Sequence, residues 1–173
     1  VIPNGIDTVR FCPSPDARRR IRAEWGVTNE EELIGIVGRL DPMKDHETFL
    51  QAAVLLLPLR KKVRFVCVGD GQAEYRKTLH DRARALGLSD RILWVGMRLN
   101  VVEVYSALDL LVNCSSGEGF SNVIGEAMAC GIPCVVTDVG DSGLVIGSLG
   151  KLVPPRDPIA LKNGIEGLLD RRP

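Results

Sequence analysis

The stretch 108-LDLLVNCSSGEGFSNVIGEAMACGIPCVV-136 decides the fold. Its first apolar run, 108-LDLLV-112, has the length of a strand and carries few polar interruptions, as expected for a strand covered on both faces. A Gly/Ser/Asn-rich loop follows, 114-CSSGEGFSN-122. The next segment reads as a helix over 122–130, in which Val123, Ile124, Ala127 and Met128 cluster on the side that should face a sheet. Gly131 follows its end, and Pro133 blocks continuation. A second apolar run, 133-PCVV-136, supplies another strand. A strand, a helix and a strand in this order make a parallel βαβ unit.

The same alternation extends in both directions. Short apolar runs recur at 33-LIGIV-37, 63-VRFVCV-68, 92-ILWV-95 and, more weakly, 149-LGKLV-153. Helical patterns lie between them at about 45–57, 71–86, 100–107, 142–147 and 157–169, and another, at about 16–25, precedes the first run. Asp45 is placed to cap the helix carrying 46-HETFLQAAVLLL-57. The stretch 154-PPRDP-158 is a loop leading into the last helix. No repeat, low-complexity tract or internal boundary interrupts residues 1–173. The prediction is a single α/β domain, an open doubly wound parallel sheet of the Rossmann-like type.

Composition removes several function classes. The 173 residues carry 22 Lys+Arg against 22 Asp+Glu, so formal net charge is zero and bulk charge does not point to nucleic acid. The densest basic run, 18-RRRIR-22, reads as the solvated face of a helix. Five cysteines (12, 67, 114, 130 and 134) form an odd set with no C-x-x-C pair, which fits buried free thiols in a reducing cytosol better than a disulfide framework. With only two histidines, a His-rich metal site is not expected. There is no signal peptide pattern and no apolar run long enough to cross a bilayer. The sequence opens on Val1, directly on a strand-like segment, and so reads as a piece of a longer protein.

In open α/β sheets, ligands bind in the loops at the carboxyl ends of the strands. In 38-GRLDPMKD-45, Gly38 ends a strand, and Arg39 and Lys44 stand beside a helix N-terminus, as a diphosphate site requires. The plainer alternative is two solvated cations, and no Walker A loop exists in the chain. Gly69 and Gly71 in 69-GDG-71 permit close approach of a ligand, or simply form a tight turn. The loop 96-GMRLN-100, with Arg98, lies at the same edge and could offer backbone groups to a base.

The richest segment is the opening one. Glu118 and Glu126 flank a helix start that Asn122 or Ser121 should cap. Amides of residues 119–123 would point out of that N-terminus toward an anion or a set of hydroxyls. Glu126 falls off the sheet-facing side, toward solvent or a cleft, where a carboxylate can grip vicinal hydroxyls. The bland readings are a helix-start acid for Glu126 and a solvated loop carboxylate for Glu118. A rival reading takes 117-GEGFSN-122 as a dinucleotide fingerprint with Asp138 as its ribose acid. Against it, Asn122 replaces the third glycine, Glu118 would face a pyrophosphate, and the motif follows a late strand.

These residues resemble a known family. The segments 1-VIPNGID-7, 36-IVGRLDPMKDHETFLQA-52, 68-VGDG-71, 118-EGFSNVIGEAMACGIPCVVTDVG-140 and 150-GKLVPPRDPIAL-161 are similar, in order, to the C-terminal donor-binding domain of GT-B glycosyltransferases of the retaining family 4. The resemblance implies that Arg39 and Lys44 bind the donor diphosphate and stabilise the leaving group without a metal. It implies that Glu118 contacts hydroxyls of the transferred sugar. The backbone of Gly119, Phe120, Ser121, Asn122 and Val123 would line sugar and phosphates, and Glu126 would bind the ribose. The departure is 139-VGDSGLVIG-147, where many members have V-G-G followed by Pro-Glu, so the sugar preference does not carry over.

The implied activity is transfer of a sugar from a UDP- or GDP-linked donor to a hydroxyl acceptor, in cell-surface polysaccharide or glycoconjugate synthesis. The acceptor, lipid-linked or saccharide, would sit on an N-terminal domain absent from this chain, which alone should be inactive. A cytoplasmic protein at the inner face of the membrane follows from the same resemblance. The competing readings are a non-catalytic nucleotide- or sugar-binding module and half of a nucleotide-sugar epimerase.

Overall fold

The computed structural model describes residues 5–171; the stretch 1-VIPN-4 of the first family-like segment lies outside them. Its elements are helix α1 (Pro15–Glu24), strand β1 (Glu32–Val37), a 3-10 turn (Pro42–Lys44), α2 (His46–Leu56), β2 (Val63–Val68), α3 (Ala73–Ala85), β3 (Ile92–Trp94), α4 (Val101–Ala107), β4 (Leu110–Asn113), α5 (Asn122–Ala129), β5 (Cys134–Thr137), α6 (Ser142–Ile146), β6 (Lys151–Val153) and α7 (Pro158–Leu169). The six strands predicted from 33-LIGIV-37 onward are present, while most of the strand-like opening segment lies outside the described residues. The fourth is shifted, from 108–112 to 110–113, and the sixth is shortened to three residues.

The six strands form one sheet in the order β3-β2-β1-β4-β5-β6, and every pairing is parallel. This is the doubly wound order, with its switch point between β1 and β4. Continuous apolar runs are explained by burial on both faces, and side chains alternate between them. Ile34, Ile36, Phe65, Cys67, Leu110, Val112 and Val135 pack with α2 and α7. Leu33, Val66, Leu111, Cys134 and Val136 pack with α1, α4 and α5 on the other face.

Local caps follow the sequence. Asp45 accepts from Thr48 N and caps α2 from a left-handed conformation (φ 49°). After α5, Gly131 N donates to Met128 O and Ile132 N to Ala127 O, the paired bonds of a Schellman ending.

The basic run 18-RRRIR-22 is not a solvated face throughout. Arg22 is 1% exposed and donates to Asp109 Oδ2 (3.1 Å) and Ala107 O (3.0 Å). Arg18 donates to Asp109 Oδ1 (2.7 Å) and Leu108 O (2.9 Å). Asp109 is 3% exposed and also accepts from Leu33 N (2.6 Å), so it ties α1 to the amino ends of β1 and β4. A charge pattern read locally misses this, because the neutralising carboxylate arrives from far along the chain. The cysteines are all free, and four are buried; Cys12 is exposed, against the expectation of buried thiols.

Candidate functional site

The site is built where β1 and β4 end side by side. After β1 the chain passes Gly38 and Arg39, and Asp41 accepts from Met43 N (2.9 Å) to start the 3-10 turn that delivers Lys44. After β4 come Cys114, Ser115 and Ser116. Two contacts lock these loops together. Ser116 N donates to Met43 O (2.8 Å). The Cys114 thiol, which burial keeps protonated far above its ordinary range, points at the carbonyls of Lys44 (3.3 Å) and Asp45 (3.2 Å).

On this frame Lys44 Nζ pairs with Glu118 Oε1, and Ser115 Oγ donates to the same oxygen (2.8 Å). Glu118 is only 11% exposed at its side chain, so it is no solvated loop carboxylate. Its loop is held from behind. Thr137 Oγ1 donates to Ser115 O (2.6 Å), and Asp141 N donates to Gly119 O (3.1 Å). Gly140 lies against this loop so closely that a Cβ there would stand 2.1 Å from Glu118 O.

At the start of α5, Ser121 occupies the cap position without making a side-chain capping bond. Its hydroxyl instead accepts from Asn113 Nδ2 (2.7 Å). Of the two expected caps, Ser121 is the one at the cap position, but its side chain does not cap the helix. On the same helix Ile124 and Ala127 are buried, while Val123 and Met128 are only partly so. Glu126 is half-buried and accepts from Tyr105 Oη (2.7 Å) on α4. It is thus fixed in orientation, not loose in solvent.

The remaining predicted residues divide. Arg39 is 69% exposed and stands near Asp41 (3.7 Å), at the rim of a recess of about 770 Å³ shared with Gly71, Glu74 and Tyr75. Gly69 and Gly71 have a packing reason: a Cβ on Gly69 would lie 1.8 Å from Gly38 O, and one on Gly71 2.1 Å from Leu40 O. Backbone makes a close approach there, which by itself calls for glycine. Arg98 pairs with Glu24 (2.6 Å) and lies over the Trp25 ring, so its guanidinium is turned to α1 and not to the Lys44–Glu118 pair. Sequence reasoning missed Cys114, Ser115, Tyr105 and His46, whose roles depend on partners delivered by other elements. A further cavity, about 500 Å³ and lined by Ser14, Arg18, Leu108 and Pro133, lies at the opposite, amino end of the sheet.

A cation, a helix start and two oriented carboxylates at the switch point of a parallel sheet define a site for an anionic, hydroxyl-rich ligand. Residues 31–171 match the family described as Glycosyl transferases group 1, and the chain belongs to it. It is 34% identical, over its whole length, to the lipopolysaccharide core biosynthesis mannosyltransferase LpsB of Rhizobium meliloti, covering 51% of that protein. The chain spans about half or less of the curated relatives it matches. Among solved structures it matches Anabaena Alr3699/HepE in complex with UDP-glucose, with TM-score 0.89 and 31% identity, covering 96% of this chain and 46% of that one. It also matches the C-terminal domain of a glycosyl transferase group 1 family protein, LpcC, from Francisella tularensis, with TM-score 0.84 and 25% identity, covering 96% and 88%. The fold is the C-terminal half of the GT-B architecture.

Proposed function

We propose that this chain is the donor-binding domain of a retaining glycosyltransferase. The observation that carries the reading is the convergence of Lys44, Glu118 and the α5 start at the β1/β4 switch point. Lys44, joined by Arg39 on swinging in from the rim, neutralises the diphosphate as it departs, which is the charge stabilisation a metal supplies elsewhere. The α5 amides add fixed partial positive charge at the same place. Glu118 orients hydroxyls of the sugar, and Glu126, held by Tyr105, accepts from the ribose. The bond from the anomeric carbon to the diphosphate breaks, a bond to the acceptor oxygen forms, the acceptor's hydroxyl proton passes to the departing diphosphate, and the configuration is kept.

The HepE complex supports a UDP-linked donor. The match to a core mannosyltransferase supports a role in cell-surface glycoconjugate synthesis, with the acceptor on an N-terminal domain. Among the described residues no helix is long and apolar enough to cross a membrane. A cytoplasmic protein working at the membrane's inner face is part of the same proposal.

The test is calorimetric titration of this chain with UDP, GDP, ADP and NAD, repeated with Glu126→Ala. One diphosphate should bind, and the variant should lose that binding. Binding of NAD in preference would return 117-GEGFSN-122 to the dinucleotide reading and sink the proposal.

A further inference from the structure

Beneath the Lys44–Glu118 pair lies a small cavity of about 10 Å³, lined by Val37, Gly38, Lys44, His46, Asn113 and Ser115 among others. That is close to the space a single water needs when polar groups surround it. His46 stands in its wall at the first position of α2 and is 1% exposed. Its Nδ1 meets no hydrogen-bond partner among the described residues. Burial holds the ring well below its ordinary value, to about 4, so at neutral pH it is an uncharged imidazole with one donor and one acceptor nitrogen.

A buried ring nitrogen without a partner is costly, and native structures rarely keep one. The cavity supplies what is missing. Ser115 Oγ donates to Glu118 Oε1 (2.8 Å), and a hydroxyl that donates can also accept. Asn113 Oδ1 accepts one bond, from Ser115 N (3.3 Å), and has a second lone pair. A water here has the two to four polar partners that hold buried water.

We propose that His46 is a positioning residue for the donor site, acting through one ordered water beneath Lys44 that joins its Nδ1 to the Ser115 hydroxyl and so to Glu118. The inference rests on the donor-site reading above for its functional consequence, but not for the water itself. This link would add a contact from the α2 start to the Ser115 hydroxyl, beside the backbone, thiol and ion-pair contacts that already join the β1 and β4 loops.

Two substitutions separate the possibilities. His46→Asn puts an amide near the place of Nδ1 and can keep the water. His46→Leu cannot. Diphosphate affinity should stay within about 2-fold for the Asn variant and fall about 5-fold for the Leu variant, the usual size for one lost hydrogen bond. The melting temperature should fall for Leu and recover for Asn. Independently of any nucleotide, water-to-imidazole NOEs in the unmodified chain should place a long-lived water at His46. A dry ring overturns the proposal. So does a Leu variant that binds as the parent does and melts higher, the behaviour expected when an orphaned polar atom is removed. If the parent chain binds no diphosphate, the donor-site reading fails, while the NOE and melting results still decide the role of His46.

Discussion

Lys44 and Glu118, 74 residues apart in sequence, close an ion pair across the gap between β1 and β4. The two residues are assigned to different parts of one donor, yet here they hold each other. An incoming diphosphate must therefore compete with Glu118 for the same ammonium. Glu118→Gln keeps the shape and a hydrogen-bond partner for Ser115 while removing the competing charge. UDP alone should bind about 5-fold tighter to that variant, about 1 kcal/mol, the upper end for an ion pair still open to solvent. Sugar transfer by the full-length enzyme should fall, because the sugar hydroxyls exchange a charged acceptor for a weaker neutral one. Weaker UDP binding, read by calorimetry, would show that the pair supports the diphosphate site instead of closing it.

Tyr105 holds Glu126. The phenol is fully buried, and burial together with its bond to Glu126 keeps it protonated far above the ordinary range. Tyr105→Phe removes one oxygen and leaves the ring packing intact. It should cost about 1 kcal/mol of stability, and it should weaken UDP binding several-fold by freeing the Glu126 rotamer. Denaturant unfolding and titration read the two effects separately; unaltered affinity would mean that the bond is structural only.

Gly140 has φ 52°, and a Cβ there would meet Glu118 O at 2.1 Å and Gly119 O at 2.6 Å. Gly140→Ala therefore combines a left-handed alanine with a backbone clash, and should cost more than about 2 kcal/mol. Gly119→Ala is the control, since its Cβ would enter open space. It should stay within about 0.5 kcal/mol, as surface substitutions do. Equal unfolding midpoints for the two variants would contradict the account of the loop's support.

His46 makes stability depend on pH with a definite sign. Its folded value of about 4 lies below the 6.5 of the unfolded chain, because burial outweighs the attraction of Asp45 and Asp41 and acts with the repulsion of Lys44. The unfolded chain binds this proton first. The contribution is thus complete above pH 6.5 and lost as pH falls toward 4, amounting to about 3 kcal/mol at most. His80, lowered in the same direction by lesser burial, adds to the trend. Unfolding free energies of the parent and His46→Asn between pH 7 and 4 check this. The variant's profile should be shallower by up to one proton, and parallel profiles would refute the assignment.

Much of the fold is legible in the chain itself. A strand buried on both faces must be largely apolar, so 63-VRFVCV-68 and 108-LDLLV-112, with one charged residue each, announce a parallel sheet before any coordinates. Helix ends are equally local, since Asp45 and Gly131 act on amides and carbonyls within a turn of themselves. The carboxylates Glu118 and Glu126 are identifiable because their spacing around a Gly-rich helix start is itself local.

What only the tertiary structure decided is which distant groups meet. Placing β4 beside β1 brings Lys44 to Glu118, and no pattern within either segment encodes that neighbour. The same holds for Arg22, which reads as a solvated cation until Asp109 buries with it, and for Glu126, whose direction is set by a tyrosine on another helix. Gly69 and Gly71 read from sequence as either ligand contacts or turn residues, and the structure adds a close approach of the backbone of the loop after β1. Periodicity and turn chemistry act over a few residues and so are written in the chain. Ion-pair partners, buried hydrogen bonds and close backbone approaches depend on strand order, which is settled only when both faces of the sheet are packed at once.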